Sequence, residues 1–297
     1  MAKMHADELD TSVALAQQLI AEQQPQWSDL AIRPVASTGT SNAMFRLGDD
    51  LVIRLPLQPS SEANVRKEHT WLPILASLLP FAIPTAVAVG EPTEAYPMPW
   101  TVCRWLPGVD GTDGNFDQEQ TAKDLARFLR SLQAISTADA PKPNDHPTSR
   151  GADLHLRADL TRRAIDACRA HFDPADLHAL WNDALAAPTF GPGAVWIHGD
   201  IASGNLLFAD RRLSAVIDWS PMGVGDPACE LIVAWEMFHQ PARELFLDEL
   251  HIDNAMLRRA RGWTLSTAVM ALPYYEHTNK FMFDQAAAKL TVLLATC

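Results

Sequence analysis

His198-Gly199-Asp200-Ile201-Ala202-Ser203-Gly204-Asn205 runs into the apolar Leu206-Leu207-Phe208, and thirteen residues after Asn205 comes Val216-Ile217-Asp218-Trp219. Two short strand patterns, residues 206–208 and 213–217, are joined by the polar turn Ala209-Asp210-Arg211-Arg212. Such a hairpin is expected to bring Asn205 and Asp218 together at its open end. Phosphoryl transfer from a nucleotide needs a carboxylate near the acceptor hydroxyl and oxygen ligands for magnesium. An Asp, an Asn five residues later and a second Asp after a strand supply these groups, and Asp200, Asn205 and Asp218 occur in that order. A lone Asp before a strand is usually a cap. Three polar residues at matched spacing within apolar strands are a far more specific signal.

On the N-terminal side the pattern is strand-rich. Residues 43–47 and 51–55 read as strands joined across Gly48-Asp49-Asp50, a hairpin signal. Asp10 is placed to cap a helix ending near Pro25, and another helix is expected from Ser61 to Trp71, broken at Pro73, with a restart that puts this proline in a first turn as the alternative. On that second helix Val65, Glu68 and Leu72 share one stripe. An inward carboxylate needs a partner, because burying it alone is costly. Extended segments follow at residues 84–89 and 100–105, and Leu106-Pro107-Gly108 ends the region. Beyond it helical periodicity dominates: a helix from Asp117, helices over residues 153–185 and more from 226 onward, with strand candidates 194–197 and 213–217.

His198-Gly199-Asp200 through Asn205 resembles the H-G-D-x-x-x-x-N catalytic loop of the aminoglycoside phosphotransferase family, relatives of choline kinases and, more distantly, of protein kinases. Ile217-Asp218-Trp219 resembles its metal-binding segment and Gly225-Asp226-Pro227 its downstream structural motif; the likeness extends, more weakly, over nearly the whole chain. The resemblance implies an α+β, bilobal protein-kinase-like fold. A small lobe with an antiparallel sheet would span residues 1–106, and a larger, mostly helical lobe residues 107–297. It implies Asp200 as catalytic base with His198 in the same loop, Asn205 and Asp218 as Mg2+ ligands, and ATP or GTP as donor.

The family's nucleotide-positioning loop falls on Ser37, Thr38, Gly39, Thr40, Ser41 and Asn42, whose hydroxyls and amides suit phosphate. Cys103, Arg104 and Trp105 fall where backbone groups meet the nucleobase. The family's usual lysine, partner of a helix glutamate, is replaced by Arg54 opposite Glu68. Arginine pairs bidentately with a carboxylate, but its fork is larger than an ammonium. Only residues 219–224 separate Asp218 from Gly225, too few for a protein kinase's activation segment, so a small acceptor is expected.

The composition, 47% hydrophobic and 20% charged, is that of a globular protein. With 36 acidic against 24 basic residues the net charge is -12, which disfavours nucleic acid and suits either solubility alone or a cationic substrate. The four cysteines have neither zinc-finger nor disulfide spacing, and no signal sequence or membrane-spanning run is seen. The expectation is a cytoplasmic enzyme, monomeric or weakly dimeric, with no membrane partner. Among acceptors the family implies aminoglycosides first, then macrolides, amino alcohols and homoserine-like metabolites. Asp153, Asp159, Glu230, Glu236 and Glu276 are candidate ammonium partners; Trp235, Trp263, Phe281 and Phe283 are candidate apolar lining. A catalytically silent nucleotide-binding scaffold is the alternative.

Overall fold

The computed structural model describes residues 8–35, 42–141, 146, 148–191 and 193–296. The chain divides into two compact units, one of Met1–Pro107 with Ala215–Ser220 and one of Gly108–Ser214 with Pro221–Cys297.

In the first unit α1 (Val13–Gln23) is capped by Ser12, not by Asp10 as the sequence suggested. Extended backbone at Ser12 brings its Oγ to accept from the Leu15 N–H at 3.1 Å. Next come β1 (Ile32–Pro34), β2 (Asn42–Leu47) and β3 (Leu51–Pro56). Helix α2 (Glu62–Ala76) and strands β4 (Ala86–Gly90) and β5 (Trp100–Arg104) complete the unit. The sheet is antiparallel in the order β1-β2-β3-β5-β4. Phe45, Leu47, Ile53 and Leu55 share a core with Ala16, Leu19 and Ile20 of α1. The two-residue period of β3 therefore turns Arg54 to the other face. Gly90 lies opposite Trp100, and any Cβ there would sit 1.9 Å from the indole, so only glycine admits that ring.

Pro73 does not break α2. Proline removes the bond to the carbonyl four residues earlier, but His69 and Pro73 are both exposed, so water can satisfy that carbonyl. Buried Glu68, Leu72 and Leu75 keep the stripe continuous.

The second unit is mostly helical. Its elements are β6 (Val109–Asp110), α3 (Gln118–Gln133), α4 (Ala158–Ala167), α5 (Pro174–Leu185), β7 (Val195–Ile197), β8 (Leu206–Ala209), β9 (Arg212–Val216, whose last two residues count with the first unit) and β10 (Gly223–Gly225). Helices α6 (Val233–Glu236), α7 (Gln240–Glu249), α8 (Asn254–Tyr275) and α9 (Lys280–Leu294) follow. Asp117 caps α3 as expected, its carboxylate accepting from the Gln120 N–H at 3.0 Å. The longest of these, α8, buries Trp263, Leu265, Val269 and Leu272, and α4, α5 and α9 pack on it. Arg259 of α8 forks onto Asp226 at 2.7 and 3.3 Å, a buried pair that fixes the chain after β10. Among the described residues no helix is long and apolar enough to cross a membrane.

Candidate active site

The loop after β7 owes its course to Gly199, which adopts φ +87°. A Cβ there would lie 3.0 Å from the Pro221 carbonyl and 3.2 Å from the Arg150 side chain. Asp200 then points its carboxylate outward, with 38% of the side chain exposed. Asn205, placed by the tight turn Ser203–Asn205, donates from Nδ2 to the Asp200 carbonyl at 2.8 Å and to Oδ2 at 3.1 Å. Arg150 donates to the other carboxylate oxygen at 3.3 Å. His198 is fully buried and its Nδ1 accepts from the Asp200 N–H at 3.2 Å, which orients the loop.

Two buried glutamates tie the loop down. The Gly199 N–H donates to Glu230 at 2.6 Å, and the Ser203 N–H and Oγ donate to Glu236 at 2.8 and 2.9 Å. Burial pushes the Glu230 carboxyl up to about 7 despite its amide donors, and the charge of Asp200 adds to the rise. Burial acts on Glu236 in the same sense. There the Lys289 ammonium, 2.8 Å away, and the Ser203 donors outweigh it and hold the carboxyl below its usual value.

In the first unit Arg54 meets Glu68 at 2.7 Å. Burial disfavours the guanidinium charge, but Glu68 foremost, with Asp218, outweighs it and raises the Arg54 pKa. The pair borders a polar pocket of about 410 Å³ whose other walls include Asn42, Ser61, Asn64, Thr101 and Ser220. Asp218 adopts φ +60°, a conformation that Asp tolerates, and accepts from Ser220 Oγ at 2.7 Å. The Ser220 carbonyl in turn accepts from Lys67 of α2 at 2.9 Å. Ser37, Thr38, Gly39 and Ser41 lie outside the described residues.

Of the expected nucleobase segment, Cys103 is buried in β5 and Arg104 is exposed. The Trp105 N–H donates to the Asp50 carbonyl at 2.8 Å, and its ring lies 4.0 Å beneath the Arg46 guanidinium. That amide is therefore engaged within the unit.

Sequence reading missed Arg150, Lys67 and Lys289, each brought to its partner from far along the chain. Ser220 had a local signal, a hydroxyl two residues after Asp218. Among the described residues no cluster of three or more His, Cys, Asp or Glu could hold a metal ion. Magnesium does not require one, since it takes one or two protein oxygens and fills its shell with water and phosphate. The two side-chain contacts of Asn205 named above both use the amide nitrogen, so its oxygen keeps the chemistry of a magnesium ligand, as the Asp218 carboxylate does within its own unit. Oxygen donors of this kind are the chemistry that magnesium takes.

Aminoglycoside 3'-phosphotransferase of Escherichia coli is 27% identical over 137 residues, which is 44% of this chain and 49% of that protein. The chain thus spans about half the length of the curated relatives it matches. Two solved structures share its fold. The GDP and kanamycin complex of APH(2")-IIia gives a TM-score of 0.73 at 20% identity, covering 95% of this chain and 98% of that one. Apo macrolide 2'-phosphotransferase MphH from Brachybacterium faecium gives 0.63 at 22%, covering 94% and 98%. The profile of the APH phosphotransferase enzyme family matches residues 32–263, most of the sequence, and the chain belongs to that family.

Proposed function

We propose that this protein moves the γ-phosphoryl group of ATP or GTP onto a hydroxyl of a small molecule. The observation that carries this reading is the state of Asp200: its carboxylate is partly exposed, with Asn205 on one oxygen and Arg150 on the other. A carboxylate so held can align a hydroxyl and accept its proton as the oxygen attacks. In-line transfer through a loose transition state then needs little beyond positioning and charge. Arg54, kept charged by Glu68, faces the polar pocket and suits phosphate. By the catalytic-loop resemblance Asn205 and Asp218 would hold magnesium, which would supply positive charge to offset that of the phosphates. His198 acts through its bond to the Asp200 amide and takes no proton from the acceptor.

An aminoglycoside-type acceptor is the class implied by the catalytic-loop resemblance, and kanamycin is bound in one structural neighbour. A macrolide enzyme is among the other neighbours, so both classes belong in the test. The experiment is nucleoside diphosphate release with magnesium and each acceptor in turn. Asp200→Ala should lower kcat by about 10²–10⁴ with nucleotide affinity unchanged. Near-normal turnover in that variant would remove Asp200 as the base. Nucleotide binding without turnover on any acceptor would favour the silent scaffold.

A further inference from the structure

Helix α2 carries Lys67 and Glu68 in succession, and successive side chains of a helix point about 100° apart. They meet different partners. Glu68 holds Arg54 at 2.7 Å, the cation that suits phosphate. Lys67 is half-buried, and its Nζ donates at 2.9 Å to the carbonyl of Ser220, two residues beyond Asp218. The Ser220 hydroxyl donates at 2.7 Å to the Asp218 carboxylate. Ser220 therefore joins the α2 lysine, through its carbonyl, to the carboxylate that would hold magnesium, through its hydroxyl. All of these residues belong to the first unit.

The Asp218 segment needs such ties. Asp218 stands at φ +60°, a left-handed backbone angle that persists in a residue other than glycine only where its surroundings fix it. On one side of Asp218 the Val216 N–H donates to the Ala82 carbonyl at 3.0 Å, and Ala82 pairs in parallel with Ala215. On the other side stands the bond from Lys67. These links, one from α2 and one from the chain beyond it, attach Ala215–Ser220 to the first unit. Asp218 is also near enough for its charge to act on the Arg54 guanidinium, less strongly than that of Glu68. The phosphate cation and the metal carboxylate are thus electrostatic neighbours, each tied to one face of the same helix.

Lys67 has two opposing effects on a dication at Asp218. Its charge repels the metal, and its bond to Ser220 fixes the backbone that aims the carboxylate. Groups that orient a metal ligand without touching the metal are worth about 10–100-fold in metal affinity. We propose that Lys67 is a positioning residue for magnesium: through Ser220 it locks the Asp218 carboxylate to the helix that carries Glu68, so that magnesium and the nucleotide phosphates bind cooperatively through α2. The roles of Arg54 and Asp218 rest on the phosphotransfer reading, whereas the experiment reads binding and not turnover.

Affinity for ATP and for GTP is measured by calorimetry, with EDTA and with saturating magnesium, on wild-type protein, Lys67→Met and Lys67→Arg. Magnesium should tighten nucleotide binding by the wild type. Lys67→Met should cut that gain about tenfold and leave the affinity in EDTA unchanged, and Lys67→Arg, which still donates to a carbonyl, should restore most of it. Lys67→Ala, the strongest helix former, gives the same reading should Lys67→Met fail to fold. An undiminished gain overturns the proposal. A larger gain does so too, because repulsion of the metal would then be the effect of the lysine. Equal losses in EDTA and in magnesium overturn it as well, since Lys67 would then contact phosphate itself. The expected losses without turnover on any acceptor would support the positioning role and sink the phosphotransfer reading alone, and a wild type that binds neither nucleotide would sink both.

Discussion

Glu230 and Glu236 do the same structural job at two points of one loop, yet their electrostatics differ. Each is a buried carboxyl that accepts a backbone N–H, from Gly199 on one side of Asp200 and from Ser203 on the other. Glu236 has an ammonium 2.8 Å away and stays ionised, whereas Glu230 is raised to about 7, and its Oε2 has no hydrogen-bond partner among the described residues. Amide donors alone do not offset the loss of water around a buried charge. A cation at contact distance does. The loop therefore has one anchor indifferent to pH near neutrality and one that titrates there.

Removing the cation should erase this difference at the largest cost. Lys289→Met leaves Glu236 buried without its counter-charge and should lower unfolding free energy by about 3–5 kcal/mol at neutral pH, measured by urea denaturation. A loss under 1 kcal/mol would mean that water reaches the carboxylate.

The titrating anchor predicts a pH slope. With a folded pKa of about 7 against an ordinary 4.5, Glu230 keeps its proton in the folded state where the unfolded chain has lost it. Stability from this group is thus full below about pH 4.5 and falls as pH rises through 7, by about 3 kcal/mol in all. Glu230→Gln cannot ionise. The wild-type minus variant stability difference should therefore decline between pH 5 and 8, and a flat difference would remove the titration.

Ser203→Ala takes one neutral donor from Glu236 and leaves the amide and Lys289 in place, so the loss should be about 1 kcal/mol. The exposed pair of Arg66 and Glu62 serves as a control, since both side chains are about half in water. Arg66→Ala should cost only a few tenths of a kcal/mol, and a larger effect would show that surface charge matters more here than the contrast between the anchors assumes.

The legible parts of this protein were those with short-range causes. The β2–β3 hairpin followed from two-residue alternation around a turn, and Glu68 from helical spacing that put a carboxylate on the buried stripe. Asp200 and Asn205 were readable because both sit on one loop whose strand flanks are written in the same stretch. Misreadings arose where a local rule competed with exposure or backbone angle. Pro73 stays helical because the carbonyl it orphans belongs to exposed His69, and Ser12 takes the cap because it directly precedes the helix with an extended backbone that presents its oxygen to Leu15. The segment with Asp218 lies late in the sequence, yet Ala215–Ser220 groups with the first unit, an allocation no linear boundary expresses.

The sequence by itself determined the mixed α+β fold, the family and the loop with Asp200 and Asn205, because periodicity and spacing are properties of neighbours along the chain. Only the tertiary structure decided which charges are satisfied. Arg150 reaches Asp200 across 50 positions and Lys289 reaches Glu236 across 53, separations that leave no periodic trace. The same long-range pairing settles the states of the two glutamates, since the energy of a buried charge depends on what folding places within a few ångströms of it.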